Sequence, residues 1–150
     1  MRVLGIDPGK TYFGWGLVED GQLLAVGLRA GRDVSGLPLA DVVVVEKPQV
    51  YRGRSEPRSI RDLTLATGEL IGGLRAHAPR ILTPQPAEWK GQVPKDIHQS
   101  RIRAAIGEQG RRVLAQSGLS RVHLGHALDG VGLALWGEKN LAHGRQCPPK

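Results

Sequence analysis

The sequence predicts an α/β domain built on a five-stranded mixed sheet flanked by helices, and three observations carry that expectation. Residues 1–28 hold short apolar runs broken by turn signals, the pattern of an antiparallel meander. Val42 to Val45 are an unbroken valine run, which suits a central strand covered on both faces. From Ser59 the apolar period lengthens to that of a helix.

Each element follows from its local composition. Met1 to Asp7 (MRVLGID) is an apolar run ending on an acid, and Pro8-Gly9 fits the central positions of a type II turn. Tyr12 to Glu19 alternates glycines and β-branched residues with Phe13, Trp15 and Leu17, and Asp20-Gly21 is a hairpin signal before a third strand, Leu23 to Leu28. Residues 31–38 read as loop, and Lys47-Pro48 breaks the valine strand. Residues 49–58 have no period and read as a flexible loop beside Glu46.

Ile60, Leu63, Thr67, Leu70/Ile71 and Leu74 then share one helix face, with Ser59 as N-cap. Gly68, Gly72 and Gly73 in that helix favour close packing on another helix, including a partner subunit's. Ile81-Leu82 is a short strand, residues 87–95 a loop, and helices follow over about 96–106 and 108–117. A last helix carries His126 and Asp129 and runs to about Trp136. The first three strands are antiparallel and the next two join through helical crossovers. The expected domain is 1–138, with 139–150 a flexible tail.

Three acidic signals fall where this arrangement aims them at one point. Asp7 and Glu46 each end a strand, and His126 and Asp129, three apart on a helix, point the same way. Carboxylates gathered this closely repel one another unless a cation offsets them, so the cluster reads as a divalent-metal site. Oxygen ligands suit Mg²⁺, and a pair of ions clamps the attacking and leaving oxygens of a phosphodiester displacement.

Composition points to a polyanionic partner. The 150 residues suffice for one domain, and 21 Lys and Arg against 14 Asp and Glu leave a net charge of +7. Basic residues concentrate after Glu46 (Lys47, Arg52, Arg54, Arg58, Arg61) and again over 90–112. Cys147 is the single cysteine, which excludes an intramolecular disulfide or a cysteine zinc cluster. No signal peptide or membrane-length apolar run is evident, so a cytoplasmic protein is expected.

In order, GIDPGKTYFGWGLV, VVVVEKP, LATGEL, WKGQVPK and HALDGVGLALW resemble the RuvC family of Holliday junction resolvases, of the RNase H-like superfamily. The resemblance covers most of the chain. It implies an RNase H-like fold and a homodimeric, metal-dependent endonuclease that nicks opposed strands of a four-way DNA junction in a bacterial or phage-infected cell. The family's catalytic acids map to Asp7, Glu46 and Asp129, and its remaining ligand to His126.

Lys90 and Lys95 fall where the family places basic residues near the scissile phosphate. The implied cofactor is Mg²⁺ or Mn²⁺, two ions per site, with His126 favouring Mn²⁺, and no small-molecule cofactor. The implied DNA contacts are Lys47, Tyr51, Arg52, Arg54, Arg58, Lys90, Lys95 and Arg101. A family aromatic follows the glutamate to wedge into the junction. Here Gln49 takes that place, with Tyr51 the nearest aromatic. The chain is slightly shorter than typical members, which fits a phage-encoded one.

Rival readings are separable. Gly5 to Thr11 imitates a phosphate-binding loop, but it has three residues between its glycines where that loop needs four, and a strand follows where a helix should. The turn also echoes actin-like ATPases, whose two lobes exceed one such domain. A non-cleaving binder of branched DNA, or a nuclease of this fold acting on flaps or RNA–DNA hybrids, would carry much the same sequence. Trp15, Trp89 and Trp136 read as packing residues, and His77, His98, His123 and His143 as non-catalytic.

Overall fold

The computed structural model describes residues 1–49 and 57–142. Strands β1 (Arg2–Asp7), β2 (Tyr12–Glu19) and β3 (Gln22–Ala30) form the expected antiparallel meander, while β4 (Val42–Val45) and β5 (Arg80–Leu82) add parallel strands on the other side of β1. The sheet order is β3-β2-β1-β4-β5. Helices α1 (Pro57–Leu74), α2 (Pro86–Trp89), α3 (Lys95–Ala105), α4 (Gly107–Gln116) and α5 (Arg121–Ala142) complete the fold.

The valine run splits between two cores, as a strand buried on both faces must. Val42 and Val44 join Val3 and Val18 in a cluster with Leu128, Val131 and Leu133 of α5 and Ile102 of α3. Val43 and Val45 join Leu4, Ile6 and Phe13 in a cluster with Leu70 and Leu74 of α1. Against the first face α5 lies unusually close, because β1 and β2 present glycines there. A Cβ on Gly5 would stand 2.0 Å from the Gly130 carbonyl oxygen, and one on Gly14 2.2 Å from that of His126.

Several sequence expectations need correction. Gly9 does not take the positive φ of a type II turn, whereas Asp20 and Gly21 do turn left-handed, at φ 51° and 75°, as a type I′ hairpin requires. The third strand is longer than expected, and β3 reaches β4 without a helix, so only β4 and β5 are joined through one. Helix α1 starts at Pro57, which suits a first helical position and places Ser59 inside the helix. Its Gly73 meets Val34 of the chain's own 31–41 loop, while Gly68 and Gly72 face open space.

Residues 87–89 of the expected 87–95 loop belong to α2, and α5 begins five residues before His126 and includes 139–142 of the expected tail. The rest of that tail, with His143 and Cys147, lies outside the described residues, as does most of the loop after Gln49. No helix among the described residues is long and apolar enough to cross a membrane.

Candidate active site

The acids meet because β1 and β4 run parallel and in register. Ile6 pairs with Val45, so the next residues, Asp7 and Glu46, leave the same sheet edge side by side, and the Glu46 amide donates to the Ile6 carbonyl at 3.2 Å. Asp7 is also opposite Gly14 on β2, the glycine that lets the His126 backbone press against the sheet. The third arm is thereby seated over the first. His126 Nδ1 lies 2.9 Å from Asp7 Oδ2, and Asp129 is one turn further along α5, buried at 6% exposure.

Two lysines close the cluster. Lys90 Nζ stands 3.0 Å from Glu46 Oε2, and Lys95 Nζ stands 3.0 Å from Asp129 Oδ2. Gln99 Nε2 donates to Asp129 Oδ1 at 3.3 Å and to the Gly125 carbonyl at 3.0 Å, tying α3 to α5 behind the acid. Tyr12 packs edge-on to the His126 ring, at 5.2 Å between centroids, and holds its plane.

Charge shapes the protonation of the centre. Burial pushes the Asp7 carboxyl up to about 6, and the charges of Asp129 and Glu46 add to that rise, while the His126 hydrogen bond opposes it. His126 is raised by its bond to Asp7, against its partial burial. Partial burial works against the Lys95 ammonium, but Asp129 outweighs it and the amine rises above its ordinary value.

All six residues expected in the catalytic set are therefore neighbours in one cluster. Of the expected DNA contacts, Lys47, Arg58 and Arg101 are exposed, whereas Tyr51, Arg52 and Arg54 lie outside the described residues. A cleft lined by Gln49, Lys90, Gly91, Gln92 and Lys95 opens beside the lysines, about 690 Å³ in volume. Sequence reasoning missed Trp89, Gln99 and Tyr12. Trp89 Nε1 donates to Glu46 Oε2 at 2.7 Å. The pairing joins residues too distant along the chain for periodicity to register.

Among the described residues, no three His, Cys, Asp or Glu side chains are close enough to close on one metal ion as they stand. The lysine ammonium groups take up the carboxylate charge instead. The donor chemistry nevertheless fits a divalent cation: three carboxylates and an imidazole face one region, and the charges of Asp129 and Glu46, which add to the burial that lifts Asp7, are of the kind a bound cation offsets. Asp7, Glu46, Asp129 and His126 are the residues that would hold it.

No family model matches the chain. A curated relative, the crossover junction endodeoxyribonuclease RuvC of Chloroflexus aurantiacus, is 37% identical over 76 residues, which is 49% of this chain and 44% of the relative. The matched stretch thus spans less than half of that relative's length. Among solved structures, Thermus thermophilus RuvC in complex with a Holliday junction substrate superposes with a TM-score of 0.68 at 20% identity, covering 96% of this chain and 97% of that one. A Fowlpox virus resolvase with its Holliday junction DNA gives a TM-score of 0.58 at 16% identity, over 94% of this chain and 99% of that one. The chain shares the fold of these solved structures, the mixed five-stranded sheet flanked by helices that the sequence predicts.

Proposed function

We propose that this chain, which has the RuvC-type RNase H-like fold, is a homodimeric, structure-specific DNA endonuclease that resolves four-way junctions by metal-dependent phosphodiester hydrolysis. The convergence of Asp7, Glu46, His126 and Asp129 with Lys90 and Lys95 at one sheet edge carries this reading. A binder without chemistry gains nothing from carboxylates facing a phosphate backbone.

Held by the three carboxylates and His126, Mg²⁺ or Mn²⁺, two ions per site, supplies Lewis-acid polarisation of the phosphate and acidification of a bound water. The chain's own contribution is charge and orientation. Lys90 and Lys95 are positioned to offset the negative charge that grows on the phosphate as the water oxygen bonds phosphorus and the ester oxygen departs. Lys47, Arg58 and Arg101, with Arg52 and Arg54 after Glu46, supply sequence-independent grip on the backbone, and Tyr51 is the aromatic proposed to contact the bases. The exposed face of α1, with Leu65 62% exposed and Gly68 and Gly72 leaving it open, is the proposed subunit contact.

Incubating the protein with an end-labelled four-way junction and either metal tests this directly. Paired nicks are expected, with Mn²⁺ supporting activity well because an imidazole ligand suits it. Asp129→Asn should reduce cleavage by on the order of 10³-fold while junction binding persists. Binding without cleavage under both metals would leave only a junction-binding module, and faster cutting of a flap or an RNA–DNA hybrid would reassign the substrate.

The pH dependence has a defined sign. Asp7, raised to about 6, and His126, also raised, must both lose their protons to act as ligands, so cleavage should rise steeply between pH 5 and pH 8. A flat profile across that range removes the pair from the metal site.

A further inference from the structure

The indole of Trp89 is seated as though its one polar atom had a task. Trp89 is 8% exposed, and its ring fills a slot made by Ile102 of α3 and Gly132 of α5, where a Cβ on Gly132 would lie 2.8 Å from the ring. His98 closes the slot edge-on, with ring centroids 4.8 Å apart. The short helix α2 that carries Trp89 is fixed in turn. Trp136 Nε1 on α5 donates to the Glu88 carbonyl at 3.1 Å, and the Gln85 amide donates to the Glu88 carboxylate at the start of the helix.

From this slot Trp89 Nε1 reaches Glu46 Oε2 at 2.7 Å, and the ring face lies 4.9 Å from Lys90 Nζ, within cation–π range. Lys90 donates to the same Oε2 at 3.0 Å. Both donors converge on one carboxylate oxygen, and no described residue donates to Oε1. Glu46 sits just past the end of β4, where its amide is tied to the Ile6 carbonyl but that backbone bond leaves the side chain free to rotate. Without these donors its side chain keeps its rotamer freedom.

We propose that Trp89 is a positioning residue: its N–H fixes the Glu46 carboxylate with Oε1 presented to the metal, and its ring face places the Lys90 ammonium beside it. One rigid side chain thereby sets the relative placement of an acid and a cation borne by different elements. The inference rests on Glu46 being a metal ligand, as in the function proposed above. A ligating carboxylate that is itself hydrogen-bonded binds metal more tightly, and loss of such a partner weakens affinity or activity by roughly 10–100-fold.

Replacing Trp89 by benzothienylalanine exchanges the N–H for sulfur at nearly constant volume, and Trp89→Phe provides a second, genetically simple loss of the donor. Three quantities are measured: Mn²⁺ affinity of the DNA-free protein by calorimetry, kcat and KM for junction cleavage, and the melting temperature. For the sulfur analogue we expect about tenfold weaker Mn²⁺ binding, a comparable fall in kcat, and KM and melting temperature near wild type. Phe should weaken Mn²⁺ binding at least as much. Mn²⁺ affinity and kcat within twofold of wild type in the analogue overturn the proposal. Failure is attributable: a wild-type protein that cuts junctions beside an analogue that binds Mn²⁺ equally well refutes positioning alone. Loss of Mn²⁺ affinity in the analogue, with no junction cutting by wild type, supports positioning and refutes the junction reading.

Discussion

Asp7→Asn is expected to make the protein more stable and abolish its activity. The carboxyl of Asp7 is lifted from 3.8 to about 6, mainly by burial and then by the charges of Asp129 and Glu46. Between those two values the folded state holds the proton more firmly than the unfolded chain does. Stability from this group is therefore greatest at low pH, falls as pH rises toward 6, and stays low above it. Holding Asp7 ionised corresponds to about 3 kcal/mol of lost stability.

Asparagine keeps the shape of the protonated acid at every pH. Part of the gain is returned, because Asp7 also binds His126 at 2.9 Å, so a net gain of about 1–2 kcal/mol at pH 8 is expected. For a domain of this size that is a few degrees in melting temperature, roughly 4 °C, and the difference should shrink toward zero at pH 4. Cleavage should fall by on the order of 10³-fold or more. Metal-free melting curves at the two pH values decide the matter. A variant less stable than wild type at pH 8 would mean that the acid is held by favourable contacts and stores no repulsion. An inactive and stabilised variant would mark Asp7 as a residue kept for chemistry at the expense of the fold.

What the sequence reveals about this site follows from which constraints are local. The strand-end acids are legible because an apolar run that stops on a carboxylate is a local pattern, and the valine run announces that the sheet has two covered faces. His126 and Asp129 are legible because a separation of three on a helix fixes their shared direction. Lys90 and Lys95 are different, since no pattern within residues 87–95 tells a site lysine from a surface one, and only the family resemblance singled them out from the basic stretch over 90–112.

Trp89 shows the limit most clearly. It lies 43 residues from the acid it holds, on a one-turn helix whose Pro86 reads as a loop residue. The slot it occupies exists only because Gly132 comes from a third element. The glycines of β1 and β2, although noticed, gave no sign by themselves that a helix would lie across them.

Those glycines set the second large effect, expected for Gly5→Ala. The new Cβ would meet the Gly130 carbonyl oxygen at 2.0 Å, the Ala134 nitrogen at 2.5 Å and Leu133 Cβ at 3.0 Å. None of these is the free end of a flexible side chain, so relief requires α5 to lift from the sheet as a body. Overpacking of a tight core already costs about 1–3 kcal/mol, and a backbone-on-backbone contact belongs at or above the top of that range. The same movement carries His126 and Asp129 away from Asp7, and a displacement of about 1 Å at a reacting centre lowers rates by roughly 10²-fold. Gly73→Ala provides the contrast, because there the Cβ meets only the Val34 side chain, with Cγ2 at 2.9 Å and Cγ1 at 3.7 Å, and Val34 is carried by the 31–41 loop and not by the backbone of a packed helix. With the helix preference for alanine offsetting that contact, its melting temperature should stay near wild type. Thermal melts and cleavage rates of the two variants separate the cases: if Gly5→Ala melts and cuts like Gly73→Ala, α5 does not depend on bare backbone for its seat, and the placement of the third arm of the site needs another cause.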